Sequence, residues 1–355
     1  MSFNFLPNTA LATISIDKDN IFTYAQTYNG EIAQIKGKVN GSSYEVIGDQ
    51  AGIDITKSSA GDTAAKRFTP LAAVQSTMGD YNVHWLFYVD NNNYLRDAYS
   101  HDNSQWSEGR LYQQGKWQCA SYSNLAAIKL TNYLSLDFVS LYFQDYTATG
   151  NVRVVSYNPT AGWQEGNPPL DDPPLYGTSL AVVRPEPGIE VVHYGEDTDT
   201  QDPVVFFQYD KLELGSSQSQ GKNDYATYNI NDKTITLSAH AALAAVDDGT
   251  NFWAFYTADN NAVFRMRVDK NGAIIQPRPV DLGGGITPIP GSSLAAAFVK
   301  DGTTDKVVLF YLLHYEDIKQ TTQEVNVFAS VLTNTSASDA DSWSSGARVC
   351  LTADS

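Results

Sequence analysis

The chain has 355 residues, of which 40 are acidic and 23 basic, giving a formal net charge of −17 at pH 7. This acidity argues against nucleic acid or an anionic membrane as a partner, because both require a basic surface. No apolar stretch is long enough to span a bilayer, and residues 1–7 lack the basic and apolar segments of a secretory signal. We therefore expect a cytoplasmic protein without membrane insertion.

A short motif, Leu-Ala followed by two small or β-branched residues, occurs six times. Its leucines are Leu11, Leu71, Leu125, Leu180, Leu243 and Leu294, and successive leucines lie 60, 54, 55, 63 and 51 residues apart. A near-constant period of this size indicates one structural unit that is built six times. We expect the motif to form the first strand of each unit, near residues 10–16, 70–76, 124–130, 179–184, 242–247 and 293–299.

The rest of each unit also has the composition of strands. A β-branched and aromatic run follows the motif, beginning at Ile21, Trp85, Val139, Val191, Phe252 and Val308. Turn-forming residues usually come next, and three units end on Trp-x-x-Gly, at Trp106, Trp163 and Trp343. One unit therefore reads as three or four short antiparallel strands. The Ala-rich residues 239–246 have helix propensity, but their place in the repeat predicts a buried strand.

Six four-stranded units around an axis make a β-propeller, which leaves only short, protected edges. A six-unit solenoid is the alternative, but it would need polar capping repeats, and the sequence shows none. We predict an all-β fold, a six-bladed β-propeller in which residues 1–355 form a single domain.

The repeat resembles that of the fungal fucose-specific lectins, which are six-bladed propellers. The resemblance rests on the six Leu-Ala strands, aromatic second strands such as residues 141–144, the turn-and-strand unit 150–153, and the Trp-x-x-Gly endings. In that family each sugar pocket uses an Arg on the second strand, a Glu on the third, and aromatic groups from the neighbouring blade. The charged pair grips sugar hydroxyls and a ring covers the apolar sugar face.

This chain departs from that pattern in the charged pair. By sequence alignment of the repeats, the second-strand Arg position holds Phe22, Leu86, Ser140, Val192, Trp253 and Leu309. The third-strand Glu position holds Gln34, Asp97 and Val154 in the first three repeats, and the last three show no suitable Glu. The resemblance therefore implies the lectin scaffold without its ionic pair.

A lectin-like propeller that lacks the sugar residues is similar to a second group, the hetero-Diels–Alderases of fungal tropolone–sesquiterpenoid biosynthesis. These enzymes join a tropolone-derived quinone methide to the sesquiterpene humulene. Such a cycloaddition needs no cofactor, only confinement in an apolar cavity with a few hydrogen-bond donors. Our first hypothesis is this activity, with small hydrophobic substrates as partners. The alternatives are a fucose-like carbohydrate-binding lectin with degenerate sites and a non-catalytic interaction propeller; a homodimer is left open.

The residue after each motif should lie at one level near the axis. These residues are Ser15, Gln75, Lys129, Arg184, Asp247 and Phe298, and all six differ, which suits one asymmetric ligand. In the enzyme hypothesis Lys129 and Arg184 donate to a tropolone oxygen, and Asp247 assists loss of water. Gln75, Trp85, Trp253 and Phe298 would bind substrate. The alternative is a salt-bridge network that closes the channel, with both tryptophans packed in the core.

The remaining chemistry-bearing residues point to no further site. The five histidines show no metal-ligand spacing, so we expect no metal, and the acidic residues 196–202 read as a solvated hairpin tip. Cys119 and Cys350 are expected to be reduced thiols, and whether the fold brings them together is open.

Overall fold

In the computed structural model, the structure describes residues 5–48, 51–78, 81–101, 105–131, 137–147, 150–166, 174–183, 189–196, 203–210, 224–228, 241–258, 260–269, 274–282, 286–302, 305–316, 323–332, 343 and 347–348. The strands in these residues form six antiparallel sheets, which we call blades 1 to 6 in chain order.

The first three blades have the following strands. Blade 1 contains β1 (Leu11–Asp17), β2 (Asn20–Gln26), β3 (Ile32–Asn40), β4 (Ser43–Val46) and β5 (Ala51–Ile53). Blade 2 contains β6 (Ala72–Met78), β7 (Tyr81–Val89), β8 (Leu95–Ser100) and β9 (Ser107–Glu108). Blade 3 contains β10 (Leu125–Thr131), β11 (Asp137–Gln144), β12 (Val152–Asn158) and β13 (Gly162–Glu165).

The last three blades follow the same plan. Blade 4 contains β14 (Leu180–Val183), β15 (Ile189–Glu196), β16 (Pro203–Asp210) and β17 (Asp224–Tyr228). Blade 5 contains β18 (Leu243–Asp247), β19 (Asn251–Thr257), β20 (Val263–Asp269) and β21 (Ile274–Pro279). Blade 6 contains β22 (Ala295–Val299), β23 (Lys306–Glu316), β24 (Gln323–Leu332) and β25 (Ala347–Arg348).

Helical structure in the described residues is confined to short segments. These are the α-helix α1 (Leu111–Gly115) and the 3₁₀ helices Asp54–Thr56 and Ser58–Thr63. The Ala-rich segment contains β18 rather than a helix, so its place in the repeat outweighs its propensity. None of these helices is long and apolar enough to cross a membrane.

The six first strands form a closed ring, because each contacts the first strands of both neighbouring blades. The apolar core is divided among the blade interfaces. At the closing interface, Leu11 and Ile21 of blade 1 pack in one cluster with Val308 and Phe310 of blade 6. Each sheet consists of consecutive strands, so apolar packing rather than strand exchange closes the ring. The prediction of an all-β propeller of the fucose-lectin type is confirmed.

A hydroxyl group in the turn before the first strand makes the same hydrogen bond in several blades. In blades 1, 2 and 3, a hydroxyl accepts an N–H from the end of the second strand: Thr9 from Gln26 at 2.6 Å, Thr69 from Val89 at 2.8 Å, and Ser123 from Gln144 at 2.9 Å. Blade 5 has Ala241 at this place, and the hydroxyl comes instead from Thr257, which accepts the N–H of Ala242 at 2.9 Å.

In each of two pairs of neighbouring blades, a buried glutamine of one blade binds the turn before the next. The Gln144 side-chain amide donates to the carbonyls of Gly150 and Leu175, both at 3.1 Å, and its oxygen accepts the N–H of Gly177 at 3.0 Å. Gln26 makes the equivalent bonds from blade 1 to the turn before blade 2. Since both side chains are fully buried, these bonds fix the turns that line the axis.

Candidate functional site

Each blade presents one face to the blade that follows, and the strand register aligns this face from blade to blade. At the level of the motif alanine, a second-strand residue pairs with a third-strand residue. The pairs are Tyr24 with Gln34, Phe87 with Asp97, Tyr142 with Val154, and Phe255 with Arg265. Two residues earlier on the same second strands are Phe22, Trp85, Ser140 and Trp253.

This register corrects the sequence alignment at three positions. Trp85, not Leu86, is equivalent to Phe22, and Leu86 packs on the opposite face toward blade 1. In blades 4 and 6 the equivalent residues are Glu190 and Val308, not Val192 and Leu309. Hairpin lengths differ between units, and a slip of one residue moves a side chain to the other face. None of the corrected residues is an arginine.

The interface between blades 2 and 3, which we call cleft 2/3, is walled by Trp85, Tyr99, Tyr157 and Trp163. The Trp163 ring packs edge-on against Trp85, with centroids 6.0 Å apart. Tyr157 lies 5.2 Å from Trp85 and 5.5 Å from Trp163, and Tyr99 lies 5.8 Å from Trp85. Both tryptophans are buried, whereas both tyrosines are half-buried. The indole rings therefore lie in the interior of the cleft, and the two tyrosines lie at its solvent-facing rim.

Asp97 supplies a carboxyl group at the base of this cleft. Its Oδ1 accepts the N–H of Leu111 at 2.9 Å, which holds the start of α1 against blade 2. Burial raises its pKa to about 6, although the N–H groups of Leu111, Trp163 and Arg110 oppose that shift. The sequence alignment placed Asp97 correctly at the third-strand position, but could not show that it also caps a helix.

The glycine of the Trp-x-x-Gly ending has a direct steric role here. A Cβ at Gly109 would lie 1.9 Å from Asp97 Oδ2, so only glycine lets the fourth strand pass over the carboxyl group. The backbone N–H of Gly109 also donates to the Asp97 carbonyl at 2.8 Å. The motif therefore positions the residue that follows it, Arg110, beside the cleft.

Arg110 brings a positive charge to the same space as the tyrosines. Burial raises the pKa of Tyr157, the Arg110 charge lowers it, and Asp97 and Tyr99 raise it further. The charges of Arg110 and Asp97 are therefore close enough to Tyr157 to act on its hydroxyl group. Sequence reasoning missed Arg110, because it searched for arginine on the second strand. Its position directly after Trp-x-x-Gly was the signal available.

The interface between blades 1 and 2 has the same kind of aromatic contact but different polar groups. Trp106 packs edge-on against Tyr24, with centroids 5.8 Å apart. Gln34 is buried at the third-strand position, and the Lys36 ammonium lies 5.7 Å from the Phe22 ring. Aromatic contact between blades is thus a repeated feature, and the polar group beside it changes from blade to blade.

The interface between blades 5 and 6, which we call cleft 5/6, is walled by Trp253, Phe255, Arg265, Arg267 and Trp343. Trp253 is fully buried, and its Nε1 donates to Asp248 Oδ2 at 2.7 Å. The guanidinium groups of Arg265 and Arg267 lie 5.1 and 5.6 Å from the Trp253 ring. Trp343 packs edge-on against Phe255 at 5.9 Å.

The predicted axial ring is only partly described. The register places Ser15, Gln75, Lys129, Asp247 and Phe298 at one level of the first strands, while Arg184 lies outside the described residues. This arrangement brings the five residues to one level of the ring, and their predicted roles in substrate binding and catalysis stay predictions.

The contacts of the ring residues lie mostly within the blades. Lys129 Nζ is 3.7 Å from Asp137 Oδ2, which also accepts the N–H of Thr77 in blade 2 at 2.6 Å. Asp247 accepts the N–H of Gly249 in its own hairpin at 2.6 Å. Phe298 packs in the apolar cluster between blades 5 and 6, as does Trp253. Trp85 donates its indole N–H to Ser76 Oγ at 2.8 Å.

A cavity of about 290 Å³ lies on the axis, lined by the turns that precede all six first strands. Its walls are mainly short polar residues and glycines, including Asn8, Ser121, Asn124, Ser179 and Ser292. The predicted ring lies about five residues farther along each strand, which at ~3.3 Å per residue is about 16 Å away. The ring residues therefore do not line this cavity.

The other reactive residues are described only in part, and the predictions about them stay predictions. Among the residues that the structure describes, no group of three or more His, Cys, Asp or Glu side chains could hold a metal ion. Cys119 is a buried free thiol whose pKa burial raises to about 11. Cys350 and the acidic residues 197–202 lie outside the described residues.

Comparison with known proteins gives one family match. A model of the fungal fucose-specific lectins matches residues 20–277. No curated protein sequence matches the chain.

Several solved structures have a similar fold. A variant of AofleA from Arthrobotrys oligospora in which three arginines are replaced by alanine matches with a TM-score of 0.71 and 15% identity, over 99% of this chain and 89% of that one. The six-bladed β-propeller lectin of Aleuria aurantia, described with a novel fucose recognition mode, matches with a TM-score of 0.70 and 16% identity over 99% of both chains. The BP39L lectin of Burkholderia pseudomallei matches with a TM-score of 0.58 and 13% identity, over 97% and 85% of the two chains. At these identities the similarity is one of fold.

Proposed function

This chain belongs to the fungal fucose-specific lectin family, and from that premise we propose that it is a carbohydrate-binding propeller of six blades. Its best-formed saccharide site is cleft 2/3. The observation that carries this proposal is the pair of half-buried tyrosines, Tyr99 and Tyr157, over the buried indoles of Trp85 and Trp163. Such a surface can cover the apolar face of a sugar ring while phenolic hydroxyls meet its edge.

The polar groups of the cleft suit a neutral sugar. We expect Arg110, whose charge acts on Tyr157, to supply charge-assisted donors, while the buried Asp97 carboxyl group holds the start of α1. In the family pattern the arginine comes from the second strand, where this chain has Trp85. We therefore expect fucose or a related deoxyhexose to bind in an altered orientation, with its polar edge toward the fourth strand of blade 2.

The hetero-Diels–Alder hypothesis has less support and stays a prediction. It requires an apolar cavity that encloses two hydrophobic reactants. The axial cavity has mainly Ser, Asn and Gly on its walls, and neither Lys129 nor Asp247 lines it. We therefore favour carbohydrate binding over cycloaddition.

The proposal is tested by titrating the whole chain with α-methyl fucoside in a calorimeter, after a glycan array has ranked ligands. Tyr157→Ala should weaken binding at least tenfold, because it removes one wall of the cleft. Tyr146→Ala is the matched control, since Tyr146 is 66% exposed on a loop of blade 3, and it should leave the affinity unchanged. An array without any saturable saccharide signal, or equal affinities for the two variants, would refute the proposal.

A further inference from the structure

Cleft 5/6 concentrates positive charge in a strongly acidic chain. Arg265 and Arg267 lie two residues apart on β20, so both point to the face that packs on blade 6. They are only 4% and 7% exposed. Arg278 on β21 is the cross-strand neighbour of Arg265 and is half-buried. Three arginines therefore extend from the interior of the interface to its rim.

One arginine of this cluster, Arg267, lacks a neutralising partner in the described part of the chain. Arg267 forms no ion pair within the described residues, and its buried Nε has no hydrogen-bond acceptor. Burial and the neighbouring charges of Arg278 and Arg267 lower the pKa of Arg265 to about 10. The face of Trp253 offsets part of the cost through cation–π contact. A buried cation without an anion is otherwise strongly unfavourable, which indicates that an anion belongs at this place.

The opposite wall of the cleft offers another donor. Trp343 packs edge-on against Phe255, the cross-strand partner of Arg265, and its buried Nε1 has no hydrogen-bond acceptor. Donors from blade 5 and blade 6 thus border one interface. Buried donors are rarely left unmatched in proteins, so the missing component is an acceptor with several oxygens.

The equivalent third-strand positions of cleft 2/3 hold residues of different charge. Asp97 stands where cleft 5/6 has Arg265, and Tyr99 stands where it has Arg267. The aromatic positions are kept, with Trp85 and Phe87 matched by Trp253 and Phe255. The charge of the cleft is reversed while its ring-binding surface is retained.

We infer that cleft 5/6 binds the carboxylate or sulfate group of an acidic saccharide, held by Arg267, Arg265 and the Trp343 indole, with Arg278 at the entrance. The sugar ring would lie against the exposed edge of the aromatic wall. This inference rests on the proposed carbohydrate-binding function for the sugar, but the oxyanion site rests on the unmatched donors of Arg267 and Trp343.

The experiment is a calorimetric titration of the whole chain with glucuronic acid and with galactose 6-sulfate, each compared with its neutral parent sugar and with inorganic sulfate. We expect the acidic sugars to bind at least tenfold more tightly than their parents, with affinity falling as salt is raised. Arg267→Ala should weaken acidic-sugar binding at least tenfold, and Trp343→Phe, which removes the indole N–H and keeps a ring, should weaken it severalfold.

The outcomes separate this inference from the proposed function. Tyr157→Ala should weaken binding of the neutral fucoside at least tenfold and leave the acidic sugars unaffected. Inorganic sulfate that binds as tightly as galactose 6-sulfate would overturn the saccharide part and assign the site to a free oxyanion. Absence of saturable binding by every anion, or acidic-sugar affinity unchanged in Arg267→Ala, would overturn the site. Removing a buried charge should not unfold the chain, and Arg267→Gln provides a second variant with a similar side-chain length.

Discussion

Cleft 2/3 and cleft 5/6 occupy equivalent places in the ring, and a comparison of the two separates what the scaffold fixes from what it leaves variable. Both have a tryptophan from the following blade packed edge-on against a second-strand phenylalanine, at 5.7 Å in one and 5.9 Å in the other. They differ on the third strand, where Asp97 and Tyr99 in blade 2 correspond to Arg265 and Arg267 in blade 5.

The difference indicates that ring packing belongs to the fold, whereas the charge beside the rings varies with two third-strand residues. The aromatic contact joins neighbouring blades and stabilises the propeller wherever it occurs. The adjacent side chain changes sign between the two clefts without altering the pairing of the second and third strands. Our two proposals assign a neutral sugar to one cleft and an anionic sugar to the other.

The largest expected effect concerns the buried carboxyl group of cleft 2/3. The folded-state pKa of Asp97, about 6, lies above its unfolded value. The folded state then binds more protons as pH falls through 6, so stability should rise by about 2 kcal/mol between pH 8 and pH 4 relative to Asp97→Asn. Urea unfolding of both proteins between pH 4 and 8 checks this. A pH-independent difference between them would contradict the account of Asp97.

The next effect tests the close approach of the fourth strand in cleft 2/3. Gly109→Ala would place a Cβ against Asp97 Oδ2 and should cost about 1–3 kcal/mol in the free energy of unfolding. Gly166→Ala is the matched variant in blade 3, where the added Cβ meets only a Val154 methyl at 2.7 Å. Chemical denaturation should show a smaller loss for Gly166→Ala, and equal losses would show that the Asp97 contact is not what requires glycine.

A third prediction asks whether the guanidinium beside cleft 2/3 takes part in binding. Arg110→Ala should weaken fucoside binding about tenfold, which corresponds to about 1.4 kcal/mol, because a charge-assisted hydrogen bond is lost. Its affinity for acidic sugars should not change. Arg67→Ala, an exposed arginine stacked on Tyr28, is the control. If calorimetry shows the same fucoside affinity for both variants, Arg110 has no role in the site.

The smallest effect defines the outer limit of cleft 2/3. Tyr81 is 67% exposed and reaches the tyrosine rim only through His101, with ring centroids 5.8 Å apart. Tyr81→Ala should therefore change the fucoside affinity less than twofold in the same titration. A loss as large as that of Tyr157→Ala would extend the binding surface to the tip of the blade 2 hairpin.

The fold was predictable from the sequence because its signal is repeated. Six Leu-Ala motifs with small residues require six crowded first strands, and β1, β6, β10, β14, β18 and β22 each begin within two residues of the expected place. The face of the sheet on which an individual side chain lies was less predictable. Hairpin lengths differ among units, so counting from the motif gave Leu86 instead of Trp85, although both are plausible strand residues.

The candidate sites were only partly visible in the sequence, for a physical reason. Asp97 was found because it aligns with a known position, but Arg110 lies between β9 and α1, outside the strands that were searched. Arg265 and Arg267 were passed over because the search at that position was for glutamate. Ligand groups that converge from different strands leave no fixed spacing in a sequence, whereas the packing motif of each blade does.

The most direct test of the central claim follows the indole N–H signals of the six tryptophans by NMR during titration with α-methyl fucoside. Each signal can be assigned by a single Trp→Phe variant. The account predicts saturable shifts for Trp85 and Trp163 and constant positions for Trp253 and Trp343, with the opposite pattern for galactose 6-sulfate. Fucoside shifts that spare Trp85 and Trp163, or no shifts at any tryptophan, would contradict it.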